Sequence, residues 1–181
     1  TLSSSSAASD VYKRQTRRQI LKHVAEQVRE TVNFAVPEDN GMNYIDRVET
    51  DWAFRIQLPI GTNVPFHCTA SGKCFLASLS KRETNGILSS LKLDALTDKT
   101  HVTVEALMQE LSEIKRQGYA IDREEFMEGM IAIAVPIKDK EDRFVGALAF
   151  HGPTQRISIE NAVARKDTLL NASQKLQEHL F

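Results

Sequence analysis

The stretch GYAIDREEFMEGMIAIAVPIKDKEDRFVGALAFHGP, residues 118–153, carries the clearest structural pattern in the chain. Within it, two apolar runs at residues 130–137 and 144–150 flank a charged segment, residues 138–143. Each run is short, rich in Ile, Val, Ala and Phe, and bounded by turn residues, which predicts two buried strands in a hairpin. An acidic cluster at residues 122–125 precedes the hairpin. It is either a solvated turn or the polar rim of a cavity behind the strands.

The composition is typical of one soluble globular domain, with 181 residues, 41% of them hydrophobic and 26% charged. A formal net charge of -1 gives no basic surface for nucleic acid. No apolar run approaches the roughly 20 residues of a membrane span. Two cysteines without CxxC spacing indicate a reducing compartment, so we expect a cytoplasmic protein with no membrane contact.

The first half of the chain predicts a helix followed by strands. Residues 1–15 are rich in Ser and Ala and lack an apolar core, so we expect a disordered leader or a remnant of cloning. Residues 16–31 place apolar side chains on one helical face, which packs on its own domain or on a partner subunit. Strands at 32–36 and 42–48 flank an Asn-Gly turn, and the alternation over 54–58 predicts a half-buried strand.

Three helices are predicted before the hairpin and one after it. Residues 66–80 set small side chains before a short apolar helix. The free N–H groups at the start of this helix could bind an anion. Alternatively, the small side chains only allow the helix to pack closely on the sheet. A capping box at residues 80–83 begins the second helix, and residues 103–118 bound the third. Ser158 begins a long C-terminal helix. This order predicts an α+β fold with an antiparallel sheet covered by helices.

Catalytic patterns are sparse. The five histidines lack metal-ligand spacing and no glycine-rich phosphate loop is present, so we expect neither a metal nor a cofactor. Cys68 and Cys74 could form a redox couple, although a buried cysteine is commonly only a small hydrophobic side chain. The remaining candidate is an apolar pocket walled by the predicted strands, with the Ala70–Ser71 backbone, Asp122 and His151 as its polar groups.

From about Thr16 to Phe181 the chain resembles the effector-binding, C-terminal domain of IclR-type transcriptional regulators. The resemblance rests on three blocks in the right order, PIGTNVPFHCTASGKCFLASL, GYAIDREEFMEGMIAIAVPI and GALAFHGPTQRI. It implies one domain over residues 16–181, with a GAF/profilin-like curved antiparallel sheet flanked by helices. It also implies a homodimer or homotetramer that binds a small organic acid or aromatic metabolite and thereby alters the DNA affinity of the full-length protein.

The resemblance also maps the family's ligand pocket onto this sequence. It implies a backbone contact to an anion, an acidic group, strand positions and apolar walls at Ala70, Ser71, Asp122, Ala132, Ala149, His151, Ile56, Val64 and Met130. Relatives that bind small keto acids have polar side chains such as Cys or Ser at the positions of Ala132, Ala149 and His151. The two alanines here favour a larger or more apolar ligand, with His151 as a donor to its carboxylate or hydroxyl.

The segment before Thr16 is too short to hold a winged helix-turn-helix domain. We therefore expect that domain to be absent from this chain and expect no specific DNA binding by the chain itself. In the full-length protein, residues 16–31 would join the two domains. The function that these observations predict is ligand sensing; a GAF-like thiol redox enzyme using Cys68 or Cys74, or a purely structural dimerisation domain, are the alternatives.

Overall fold

The predicted hairpin lies at the centre of an antiparallel sheet in the computed structural model, which describes residues 2–181. Its strands are β1 Thr31–Glu38, β2 Gly41–Val48, β3 Asn63–Val64, β4 Ala120–Arg123, β5 Met130–Lys138 and β6 Phe144–Pro153. They pair in the order β3-β2-β1-β6-β5-β4, so β6 has β1 on one side and β5 on the other. This position explains why the second apolar run is buried on both faces.

Helices cover both faces of the sheet. They are α1 Leu2–Val28, α2 Ala70–Ser78, α3 Lys81–Ser90, α4 Val104–Gln117, α5 Ile159–Val163 and α6 Lys166–Leu180. Helices α1, α5 and α6 pack on one face, and α2, α3 and α4 pack on the other. Within the described residues, no helix is both long enough and apolar enough to cross a membrane. The predicted α+β architecture is confirmed.

The two faces of the hairpin differ in side-chain size, because successive residues of a strand point to opposite faces. The face under α1 and α6 carries Ile131, Ile133, Val135, Ile137, Leu148 and Phe150. The face under α2 and α4 carries Ala132, Ala134, Ala147 and Ala149. We call the second the small face. Its alanines let α2 approach closely and leave room where the helix does not reach.

The helix ends follow the predicted capping residues. Ser80 and Glu83 form the full capping box of α3, in which each side chain bonds the other's backbone N–H. Thr103 Oγ1 accepts the N–H of Ala106 at the start of α4. Gly118 ends that helix with φ 85°, a left-handed conformation that glycine adopts without strain. These local boundaries are confirmed.

Two predictions at the edges of the sheet were wrong. Residues 54–58 are irregular rather than a strand, and the edge of β2 is paired by the shorter β3 instead. In a strand, Phe54 and Leu58 would lie on the same face. Here Leu58 is buried and Phe54 is 58% exposed, so the two residues do not share a face. On the other edge, β4 was missed within the acidic cluster, because four residues are too few to show a period.

The two terminal helices also differ from expectation. A helix extends over the described part of residues 1–15, where we expect a disordered leader; Thr1 lies outside the described residues. Residues 4–15 of this helix are exposed, so they bury no core surface. The C-terminal helix is two helices, because the chain turns at residues 164–165 between α5 and α6.

A buried ion pair fixes α2 relative to β4. Lys73 is fully buried, and its Nζ donates to both carboxylate oxygens of Glu125 at 2.9 Å. The same Nζ donates to the carbonyl of Ile121 at 2.6 Å and to Glu110 of α4 at 3.1 Å. Glu125 is 2% exposed and Asp122 is 1% exposed, so this part of the acidic cluster is not a solvated turn. The pair thereby holds the start of α2 beside Asp122.

Removing either partner of this pair should destabilise the domain strongly. We expect Lys73→Met or Glu125→Gln to lower the free energy of unfolding by about 3–5 kcal/mol, because each leaves a buried charge or polar group unpaired. The double variant Lys73→Met/Glu125→Met should lose less than the sum of the two. Urea denaturation of the four proteins measures the coupling.

The matched control is Lys99→Met, which breaks the exposed pair with the neighbouring Glu124. Solvent screens that pair, so its loss should change stability little. A Lys73 variant as stable as the Lys99 variant would contradict the structural role of the buried pair.

Candidate functional site

Residues predicted for the pocket lie in one row across the sheet. Asp122 on β4 is paired with Ala132 on β5, and Ala132 is paired with His151 on β6. The row continues to Thr31 on β1. Directly paired residues point to the same face, so these side chains share the small face. The strand register therefore brings together residues that are far apart in sequence.

A little solvent-accessible surface remains on the small face beside this row, and we call this place the gap. Ala132 and Ala149 keep 8% and 5% of their surface exposed, although they lie on central strands under a helix layer. Ala134 and Ala147, on the same face and the same strands, are fully buried. The helices therefore cover Ala134 and Ala147 completely but leave part of Ala132 and Ala149 uncovered.

The apolar residues predicted for the pocket belong to one buried cluster. Val64 lies on the edge strand β3, and Met130 begins β5. Both are buried in the cluster that contains the alanines of the small face and Ala70. Ile56 packs against this cluster from the irregular segment between β2 and β3. The predicted walls are therefore brought together by the fold.

The N-terminus of α2 has two free backbone donors. Thr69 caps the helix, its Oγ1 accepting the N–H of Gly72 and its carbonyl accepting the N–H of Lys73. The N–H groups of Ala70 and Ser71 find no acceptor in the described part of the chain. Ser71 Oγ is buried and also lacks a hydrogen-bond partner. Free donors and the helix dipole together favour an anion here.

Asp122 lies near this helix end with half of its carboxyl group unpaired. Its Oδ1 accepts the N–H of Glu125 at 2.7 Å, whereas Oδ2 is buried without a partner. Burial, and next the charge of Glu125, raise the pKa of Asp122 to about 7. The backbone N–H of Glu125, the Lys73 ammonium and the backbone N–H of Phe126 oppose this rise. Near neutral pH, Oδ2 can therefore act as an acceptor or, when protonated, as a donor.

Tyr44 on β2 is a site residue that sequence reasoning missed. Burial is the main cause that raises the pKa of its phenol to about 12, and Arg47, Asp122 and Ser71 also act on the hydroxyl. The Arg47 guanidinium carbon lies 5.4 Å from the centre of the Tyr44 ring. Although Ser71 influences the phenol, Ser71 Oγ makes no well-aligned hydrogen bond with it. The tyrosine thus has β2, α2 and β4 side chains around it.

Arg47 was missed because a β-bulge reverses the alternation of β2. Phe34 pairs with Asp46 while Ala35 pairs with Tyr44, so Ile45 has no partner. The extra residue turns Arg47 onto the same face as Tyr44, where strict alternation places it on the opposite face. Arg47 is consequently only 4% exposed.

A chain of hydrogen bonds fixes the protonation of His151. Arg47 Nε donates to Asn33 Oδ1 at 2.7 Å, which orients the Asn33 amide group towards Nδ1 of His151 at 2.9 Å. His151 Nδ1 is therefore the acceptor, and Nε2 donates to the carbonyl of Ile56 at 3.0 Å. Burial lowers the pKa of His151 to about 4 against the hydrogen bond to Ile56, which raises it, and the charge of Arg47 contributes to the lowering. Both ring nitrogens are occupied, so His151 positions Ile56 and has no donor left for a ligand, contrary to the role expected for it.

The two thiols lack the properties of a thiol catalyst. Cys68 and Cys74 are both buried. Burial raises the pKa of each to about 12, whereas a reactive cysteine needs a lowered pKa and access to solvent. Within residues 2–181, His, Cys, Asp and Glu side chains form no group suited to a metal ion.

Comparison with known proteins identifies the family. The model of the bacterial transcriptional regulator IclR C-terminal domain matches residues 6–178. The probable transcriptional regulator SauR of Cupriavidus necator is 37% identical over 144 residues, which are 80% of this chain and 57% of that protein. The crystal structure of Thermotoga maritima IclR superposes with a TM-score of 0.86 at 27% identity, covering 93% of this chain and 68% of that one.

A second solved structure has a bound ligand. It is an IclR homologue from Microbacterium hydrocarbonoxydans in complex with 4-hydroxybenzoate, with a TM-score of 0.81 at 24% identity over 93% of this chain and 68% of that one. At that identity the likeness shows the fold alone. The chain spans little more than half the length of the curated relatives that it matches, 57% in the case of SauR. By the family match over almost all of its residues, the chain belongs to the IclR family of bacterial transcriptional regulators, and it contains their C-terminal domain.

Proposed function

We propose that residues 16–181 are the ligand-sensing domain of a bacterial transcriptional regulator and that a small organic acid or aromatic metabolite binds on the small face. The observation that carries the proposal is the pair of unpartnered polar atoms, Ser71 Oγ and Asp122 Oδ2, beside the gap at Ala132 and Ala149. Buried polar atoms almost always have hydrogen-bond partners. A polar group of the ligand supplies those partners.

The acidic group of the ligand binds at the N-terminus of α2. Its oxygens accept from the N–H groups of Ala70 and Ser71, in hydrogen bonds that its negative charge strengthens. Its apolar body lies over Ala132 and Ala149, with Ile56, Val64 and Met130 as walls. The 4-hydroxybenzoate bound by the Microbacterium homologue supports an acid of aromatic size.

The segment between β2 and β3 carries the effect of the ligand to α1. Ile56 of this segment is held by His151, and Thr50 Oγ1 and Trp52 Nε1 both donate to the carbonyl of Arg29, just after α1. A ligand that displaces Ile56 moves a segment that is bonded to the end of α1. In the full-length protein, which binds DNA through its N-terminal domain, this movement shifts the geometry of a homodimer or homotetramer and thereby its DNA affinity.

Asp122 should make acid binding depend on pH. As pH rises through about 7 the carboxyl group of Asp122 ionises and repels the ligand carboxylate, so the dissociation constant for 4-hydroxybenzoate should increase between pH 6 and pH 8. Asp122→Asn should remove this dependence, because an amide does not titrate. Isothermal titration calorimetry at several pH values measures it.

The control for this experiment is Asp98→Asn, which changes an exposed carboxylate. It should keep the pH dependence of the unaltered protein. An affinity that rises with pH, or a pH dependence that survives in Asp122→Asn, would contradict the placement of the acid beside Asp122.

Because of the gap, substitution by valine should have different effects on stability at two alanines of β5. Ala132→Val should fill the gap, abolish ligand binding and change the free energy of unfolding by less than about 1 kcal/mol, because space is available for the added methyl groups. Ala134→Val should cost about 1–3 kcal/mol, because its site is fully packed. Urea denaturation and calorimetry of both variants test this. Equal destabilisation by the two substitutions would show that the gap is absent.

The proposed route to α1 predicts a change at the single tryptophan of the chain. The indole N–H of Trp52 should give one NMR signal that shifts when 4-hydroxybenzoate binds, because Trp52 lies in the segment that Ile56 positions. His151→Phe should reduce this shift at saturating ligand, since it removes the bond to Ile56. A signal that stays fixed while ligand saturates the protein would rule out the route.

A further inference from the structure

We infer that Arg47 is a second anion-binding point in this site and that the ligand is therefore a small diacid, with one acidic group at the N-terminus of α2 and the other at the guanidinium. The inference rests on the proposed function, because it concerns the same pocket. It adds a residue outside the set that the family resemblance implied, and it narrows the class of ligand.

The first observation is that Arg47 is a buried cation without an anion. Its side chain has one neutral acceptor, Asn33 Oδ1, and its Nη2 is buried with no partner. No carboxylate in the described residues lies within ion-pair distance of it; Glu49 acts on it only from farther away. Arginine is almost never buried to this extent unless it is paired. In the proposed complex, an acidic group of the ligand supplies the missing anion.

The other buried cation on the same side of the sheet gives the contrast. Lys73 is fully buried, and the chain supplies it with Glu125 and Glu110. Where a buried cation has a structural role, this fold provides its carboxylates. Arg47 lacks them but is held rigidly, by Asn33 on one side and by the Tyr44 ring on the other. A positioned donor with free N–H groups is suited to bind a planar carboxylate through two hydrogen bonds.

Tyr44 is the residue that relates the two anion-binding points. The guanidinium lies against its ring, and its hydroxyl is influenced by both Ser71 and Asp122. A molecule that spans this tyrosine can place one acidic group against Arg47 and the other against the α2 N-terminus. A monoacid leaves one of the two points unused.

The test compares diacids with monoacids of matched shape. Terephthalate against benzoate and succinate against butyrate are titrated calorimetrically into the whole chain at pH 6. We expect each diacid to bind about tenfold to a hundredfold more tightly than its monoacid, as a charge-assisted pair allows. Arg47→Gln should weaken the diacids more than the monoacids and so remove the preference, because only the diacids use the guanidinium. Arg47→Lys should keep part of the preference, since it retains the charge but not the paired donors.

The control variant is Arg143→Gln, an exposed loop residue that should change no affinity. Equal binding of diacids and monoacids, or an equal loss of both in Arg47→Gln, would overturn the inference. The proposed function would still stand in that case if monoacid binding depends on Asp122. Failure of every acid to bind, or binding that is indifferent to Asp122→Asn and Ala132→Val, would refute the proposed function and this inference with it. Circular dichroism verifies folding, and Arg47→Lys alone decides the question if Arg47→Gln does not fold.

Discussion

The buried ion pair between Lys73 and Glu125 is the constraint on which the site depends. It joins the first turn of α2 to the turn that follows β4, and Glu125 in turn donates its N–H to Asp122. An unpaired lysine would cost too much to bury, so α2 can occupy only the position in which its ammonium group reaches those carboxylates. That position keeps the start of α2, with the free N–H groups of Ala70 and Ser71, in the layer that covers the small face of the sheet.

The small face then gathers residues from separate strands at the proposed ligand site. Pairing across three strands aligns Asp122, Ala132 and His151, and the alanines leave space that larger side chains would fill. The polar groups around that space are held by other parts of the chain and not by each other. Asn33 orients Arg47, so this donor is fixed before any ligand arrives, whereas Ile56 is held through its carbonyl by His151 and is the part of the wall that a ligand displaces. Such preorganisation reduces the entropy that binding must overcome.

Local patterns predicted the hairpin, the helix caps and the α+β class, because each depends on residues close in sequence. The row of pocket residues came from the family resemblance, and the register of the strands agrees with it. What the sequence could not show depended on distant or irregular features. The bulge at Ile45 reversed the orientation of Arg47, and Lys73 gave no sign of being buried until Glu125 was placed beside it. A lysine after Ser-Gly is ordinarily exposed, so only the fold reveals its role.

The central claim is that the start of α2 and the small face form one ligand site and not merely a tightly packed core. The most direct measurement is a two-dimensional NMR titration that follows the backbone amide signals of Ala70 and Ser71 as terephthalate is added. The account predicts that both signals shift downfield and saturate at the same ligand concentration as the signal of Ala132. Fixed signals at these three residues, with shifts confined to the groove between α1 and α6 around His23 and Lys175, would contradict it.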